Sequence, residues 1–250
     1  MTGILYLIPN TLGDMPIDEV DSMNSIIPLQ VQQITSGLTA FVAENAKTTR
    51  SFLKLIALSH PLKGPLQDIG IVELNVNTPE SALQDMLRPL LNGQDVGLIS
   101  EAGVPAVADP GANLVRLAHQ QSIQVRPLVG PSSLLLAIMA SGLNGQSFAF
   151  NGYLPVASTE RSKKIKQLEL RSRKERQTQL FIETPYRNAA MLDSLIEHCQ
   201  SGTLICVATD LTLASEQILT RSAEEWKLTM KAGRAPDLHR KPTVFLLLGQ

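Results

Sequence analysis

The chain has 250 residues, 44% of them hydrophobic and 18% charged, with a formal net charge of −1. That length holds one large or two small domains and buries a sizeable core. The charge balance excludes the global basic excess of an obligate nucleic-acid binder.

In chain order, the apolar stretch Gly3 to Ile8 reads as a first strand, ending in the turn residues Pro9-Asn10-Thr11-Leu12-Gly13-Asp14. Pro16 to Pro28 is poorly patterned and supports only a weak helix. Leu38 to Ala43 is a second strand with Glu44 at its carboxyl end, and Asn45 or Thr48 caps a helix through Arg50 to Leu58. His60 to Gln67 is a loop and Gly70 to Leu74 a strand. Thr78-Pro79-Glu80 then opens a helix, with Thr78 as cap and Pro79 in the first turn.

Val96 to Ser100 is a short apolar run of the kind buried in a parallel sheet. It empties into a loop containing Gly103, Pro105, Pro110 and Gly111, and a helix follows from Asn113 to Gln121. In an open α/β sheet, ligands bind outside the carboxyl ends of the strands. A loop of Gly and Pro gives the backbone a fixed shape and keeps side chains clear of a flat, polar ligand. Ile123 to Leu128 is a further strand, and Leu134 to Ala140 is a helix so apolar that it is expected to be buried on all sides. Phe148 to Phe150 closes this half. The repeated strand, loop and helix predict an α/β fold with a mainly parallel sheet over residues 1–151.

Composition changes at Gly152-Tyr153-Leu154-Pro155. Arg161 to Arg176 holds eight basic residues and two acidic ones, a pattern that marks a solvated face more often than an RNA-facing one. Gln179 to Ile182 and Leu204 to Ala208 are strands, the first followed by a helix to Cys199. Ser222 to Met230 is amphipathic around Trp226, and Thr243 to Leu248 is the last strand. Residues 152–250 therefore read as a second, smaller α/β domain.

Cys199 and Cys206 lack CxxC spacing and are expected to be buried thiols. His60, His119, His198 and His239 are scattered, so no metal site is expected. No apolar run is long enough for a bilayer, and the start of the chain lacks a basic leader, which predicts a cytoplasmic protein without membrane contact. Dinucleotide, P-loop, zinc-protease and nucleophile-elbow motifs are all absent. What stands out instead is a row of reactive side chains at predicted strand ends: Asp14, Glu44, Glu101, Ser132, Glu183 and Asp210. Singly, each reads as a cap or a loop residue. Together they argue for a cleft.

Several segments, in order, resemble the tetrapyrrole methylase superfamily. They are Leu5-Tyr6-Leu7-Ile8-Pro9 with Gly13-Asp14, Ala43 to Thr48, Ser100 to Pro105 with Ala108-Asp109-Pro110-Gly111, and Gly130-Pro131-Ser132. Ala140 to Leu143, Gly152 to Pro155 and Glu183 to Arg187 continue the match. Within the superfamily the chain is most similar to the branch that methylates a cytidine ribose 2′-oxygen in 16S ribosomal RNA. The resemblance implies two α/β domains, S-adenosyl-L-methionine in a cleft between them, and a homodimer. Carried over by motif, the cofactor would meet Leu12, Val104, Val107, Ser132 and Ser133, and then Ile182, Ala208 and Pro242, largely through backbone groups. Glu44 and Glu101 are the candidate bases for methyl transfer, with Lys47 positioning an anionic group.

The acceptor side departs from that branch. Its Glu-Asp-Thr-Arg is Glu44-Asn45-Ala46-Lys47 here, its Asp-Ala-Gly-Thr-Pro is Glu101-Ala102-Gly103-Val104-Pro105, and its Arg-Glu-Leu-Thr-Lys is Thr209-Asp210-Leu211-Thr212-Leu213. Two cations that could bind phosphate are gone. Three functions follow: an RNA methyltransferase of the small ribosomal subunit, a methyltransferase acting on a tetrapyrrole or other small molecule, and a cofactor-binding module with little turnover.

Overall fold

The computed structural model describes residues 1–13 and 20–250. Within them the chain divides into two compact units, Met1–Ser132 and Ser133–Gln250. Asp14 and the start of the weak helix expected from Pro16 lie outside the described residues.

The first unit runs β1 (Ile4–Ile8), α1 (Val20–Ile26), α2 (Leu29–Ser36), β2 (Ala40–Ala43), α3 (Ala46–Ala57), β3 (Gly70–Glu73), α4 (Leu83–Leu91), β4 (Val96–Ile99), α5 (Ala112–Gln120) and β5 (Gln124–Pro127). Its sheet has the order β3-β2-β4-β1-β5, and every neighbouring pair is parallel. Strand side chains alternate between faces. Tyr6, Ile8, Phe41 and Ile99 pack with Met23, Val31, Phe52 and Ile56 from α1, α2 and α3. Leu5, Val42, Val96 and Leu98 pack with Leu87, Leu90 and Leu114 from α4 and α5. Gly97 must lack a side chain, because a Cβ there would lie 2.5 Å from Ile8 Cδ1 and 2.8 Å from Phe41 Cδ1.

The connections from β1 and from β4 thus leave neighbouring strands toward opposite faces. That is a topological switch point, where the ends of two strands part and leave a crevice. It places the loop after Ile8 beside the loop after Ile99.

Two expectations in this unit are corrected. α2 is a helix beyond those expected: Pro28 stands at its N-cap but there is no acidic first turn and no side-chain cap, and Leu29-Gln-Val-Gln-Gln-Ile is half polar. Thr78 does not cap a helix: its hydroxyl accepts from the Asn75 amide at 2.9 Å, and a 3₁₀ turn at Glu80–Ala82 leads into α4.

The second unit runs α6 (Ser133–Ala140), β6 (Phe148–Tyr153), α7 (Ser158–Glu175), β7 (Thr178–Ile182), α8 (Asn188–His198), β8 (Leu204–Thr209), β9 (Gln217–Ser222), α9 (Ala223–Lys231) and β10 (Thr243–Leu248). The sheet order is β6-β7-β10-β8-β9, with β6 and β7 parallel and the other pairs antiparallel. Phe148 to Phe150, expected to close the first half, is part of an edge strand of this second sheet. β9 was also missed, since Gln217-Ile-Leu-Thr-Arg-Ser is half polar and lies at the other edge.

The core of this unit surrounds Trp226, whose Nε1 donates to the Ile205 carbonyl at 2.9 Å. Phe181 and Phe245 stack beside it at 5.9 Å. Ser222 caps α9 in a reciprocal arrangement with Glu225. α6 is not buried on all sides. It packs on β10 through Ala137 and Ile138, while Leu135 is 57% and Met139 76% exposed. Uniform apolarity has no period, so it cannot say which side of a helix finds a partner.

Candidate functional site

In the first unit the switch point is locked by Asn10. Its amide donates to the Gly103 carbonyl at 2.8 Å, and Gly103 returns a bond to the Thr11 carbonyl at 3.2 Å. The Asn10 side chain donates to the carbonyls of Ser100 (3.1 Å) and Glu101 (3.0 Å) and accepts from the Thr11 amide (2.8 Å). The loop after β5 joins them. A Cβ on Gly130 would fall 2.2 Å from both Cβ and Cγ of Pro9, and one on Gly103 would meet Leu12 Cδ2 at 3.1 Å and the Pro131 carbonyl at 3.6 Å. The structure therefore gathers Leu12, the Gly103-Val104 turn and the residues just before Ser132. Ser133 opens α6 of the second unit.

From Gly103 to Gly111 the backbone is held in an unusual shape. Gly103, Ala106, Ala108 and Gly111 all have left-handed φ angles, +68°, +64°, +67° and +131°. For an alanine that conformation costs about 1–3 kcal/mol, and such strain concentrates where a ligand is clamped. Among the described residues, the amides of Val104, Ala106, Val107 and Ala108 donate to no backbone carbonyl or side chain. Val107 is 46% exposed. A fixed loop with unspent donors fits the amino acid and base edges of a nucleoside cofactor.

Carboxylates border this loop. Glu44 Oε2 accepts from the Glu101 amide at 3.0 Å, while the Glu44 amide donates to the Ile99 carbonyl at 3.1 Å. Glu44 and Glu101 are thus brought together. Asp109 joins them, and sequence reasoning missed it. Burial, and then the charge of Glu44, push its carboxyl up to about 6 against an opposing bond from the Ser100 hydroxyl, with the Glu101 charge adding least. Lys47 sits exposed in the first turn of α3, which Asn45 caps by accepting from the amides of Lys47 (2.9 Å) and Thr48 (3.4 Å). No group of His, Cys, Asp and Glu suited to a metal occurs among the described residues.

In the second unit, Ile182 and Ala208 both face Val244 in register. The Asp210 amide donates to the Pro242 carbonyl at 3.0 Å, so Ile182, Ala208 and Pro242 share one sheet edge. Glu183 is buried there, accepting from the Thr184 amide at 2.6 Å and from the Arg187 guanidinium. Asp210 is tied to Ser215 Oγ at 2.9 Å and Lys241 Nζ at 3.5 Å. Both carboxylates brace loops. The thiols of Cys199 and Cys206 are pushed up by burial to about 12 and about 11, and so stay protonated and unreactive. No helix among the described residues is long and apolar enough to cross a membrane.

The comparisons with known proteins agree with this geometry. The family model for tetrapyrrole (corrin/porphyrin) methylases matches residues 34–226. The ribosomal RNA small subunit methyltransferase I of Bacillus subtilis is 30% identical over 227 residues, 89% of this chain and 68% of that protein. The enzyme of the same name from Xylella fastidiosa is 27% identical over 248 residues, 99% of this chain and 81% of its own length. Among solved structures, the methyltransferase CobJ superposes with a TM-score of 0.61 at 16% identity, over 99% of this chain and 95% of that one. A cobalt precorrin-4 methyltransferase gives 0.57 at 15%, covering 98% and 94%. At those identities the two structures speak for the two-domain α/β fold alone. A match over most of the chain settles its kinship: the protein belongs to the tetrapyrrole (corrin/porphyrin) methylase family.

Proposed function

We propose that this member of a methyltransferase family uses S-adenosyl-L-methionine to methylate RNA of the small ribosomal subunit at a ribose hydroxyl. One observation carries the reading. A preshaped loop with unspent amides lies against three carboxylates at a switch point, and the chain is similar along most of its length to enzymes named for that substrate. Backbone groups of Leu12, Val104, Val107 and Ser132 are the proposed holds in the first unit. Ser133, Ile182, Ala208 and Pro242 are those in the second.

When bound, the cofactor supplies an electrophilic methyl group that needs no further activation. The protein's task is then alignment, which can contribute about 7–11 kcal/mol, and removal of the acceptor's proton, roughly 10²–10⁴-fold. A base works best with a pKa near the working pH. Asp109, at about 6, meets that condition; burial holds it there, with the charges of Glu44 and Glu101 adding to the effect, and both glutamates compete for the same role. Lys47, exposed nearby, positions a phosphate. We place the protein in the cytoplasm as a homodimer.

A tetrapyrrole or other small acceptor is the second reading, favoured by the negative Glu44–Glu101–Asp109 group and by the missing cations at 209–213. One pair of measurements separates these readings from a module without turnover. Calorimetry with S-adenosyl-L-homocysteine should show binding, and labelled methyl groups should pass to 30S particles lacking the modification. Binding without transfer to 30S particles overturns the RNA reading; absence of binding overturns both.

A further inference from the structure

Tyr186 is the most exposed aromatic side chain among the described residues, at 73%, in a chain of only three Tyr, one Trp and six Phe. The Arg240 guanidinium lies over its ring, 5.5 Å from the centroid. Both partners stand on firm supports. Tyr186 follows the buried Glu183, whose carboxylate grips Arg187, and the Arg187 amide closes a turn on the Thr184 carbonyl at 2.9 Å. Arg240, itself in a left-handed conformation at φ +57°, sits in a segment pinned by Asn188 Nδ2 to the carbonyls of Leu238 (3.3 Å) and Lys241 (2.7 Å). Among the described residues, neither the core cluster nor any ion pair uses this ring or this cation. Tyr186 and Arg240 also belong to the segments that carry Ile182 and Pro242 at the same sheet edge.

We propose that the Tyr186–Arg240 pair is a stacking platform for an unpaired base of single-stranded RNA, the proposal resting on the RNA reading above. Sequence-specific RNA recognition targets single-stranded nucleotides, whose splayed bases are held on aromatic faces and Arg planes. The guanidinium covers one face of the ring, extends the flat surface and can reach a phosphate. A lone ring offers too little apolar area for a membrane surface, which needs a broad apolar face.

The test uses the full chain, a labelled single-stranded RNA 12-mer of mixed sequence, and S-adenosyl-L-homocysteine as an independent ligand. Tyr186→Ala should weaken RNA binding about 5- to 150-fold, the span of one lost base stack. Tyr186→Trp should keep wild-type affinity within about threefold and gain a fluorescence signal that RNA quenches, since Trp226 is fully buried and silent to RNA. Homocysteine-ligand affinity should stay unchanged in each variant. Wild-type RNA affinity in Tyr186→Ala overturns the platform alone. So does loss confined to a Lys163→Gln, Lys166→Gln, Lys174→Gln variant of α7. A wild-type chain that binds the homocysteine ligand but no RNA overturns the RNA reading together with the platform.

Discussion

Asn10 and Gly103 are joined across the carboxyl edge of the first sheet by a backbone bond of 2.8 Å, and the buried Asn10 side chain fastens two more carbonyls of the same loop. At the opposite end of the same two strands, the Asp95 carboxylate accepts from the Ile4 amide at 2.7 Å. Asn10→Ala would strand the Ser100 and Glu101 carbonyls, and each buried unmade bond costs about 1–3 kcal/mol. We expect a loss of about 2–4 kcal/mol in urea unfolding, with at least a tenfold drop in S-adenosyl-L-homocysteine affinity by calorimetry. Asn10→Asp should behave no better, since it removes the donor and adds a charge.

Gly130 tests the third loop. Its missing Cβ would overlap the ring of Pro9 at 2.2 Å, and a proline ring cannot turn aside. Gly130→Ala should push the loop after β5 away from the loop after β1, lowering cofactor affinity tenfold or more. The far-ultraviolet circular dichroism spectrum should keep its shape.

The carboxylates give a pH signature. Asp109, raised to about 6, is charged above that value and neutral below it. The rate at saturating RNA should therefore climb as pH rises through about 6 and level off beyond. Asp109→Asn should flatten that limb and cut turnover by about 10²-fold or more. The stability effect has the opposite sign. A carboxyl whose folded pKa lies above its ordinary value disfavours the native state once it ionises, so stability is lost as pH rises from about 4 to about 6. Asp109→Asn should raise the Tm at pH 8 while leaving it unchanged at pH 4.

Glu101 separates roles within the cluster. It is exposed and offers its amide, not its carboxylate, to Glu44. Glu101→Gln should abolish turnover with cofactor affinity kept within a few-fold, whereas Glu44→Gln also weakens the tie to the loop. Unchanged turnover in Glu101→Gln, measured by methyl incorporation, would remove that residue from the chemistry.

Much of the first unit was legible because its strands are short apolar runs closed by Gly, Pro or Asn, and because Asn45 is a strong cap. α2 and β9 were not, since both are half polar, and the Pro28 that opens α2 reads equally as the end of the segment before it. α6 shows a different limit: the seven residues Leu134 to Ala140, with no polar member, reveal burial in general but no direction. In the site, Glu44 and Glu101 could be found at strand ends, where reactive side chains are sought. Asp109 stands ten residues beyond β4, and only the fold of the Gly103–Gly111 loop carries it back beside them.

That loop also bears on how the protein recognises its ligand. Ala106 and Ala108 hold a left-handed backbone that an alanine adopts only when its surroundings impose it, so the loop's shape is set by the fold around it. A guest then loses little to ordering its host, and association can be fast and specific without a wealth of charged contacts. Replacing both alanines by glycine would relax the strain and loosen the mould together, leaving a sturdier protein that grips less well.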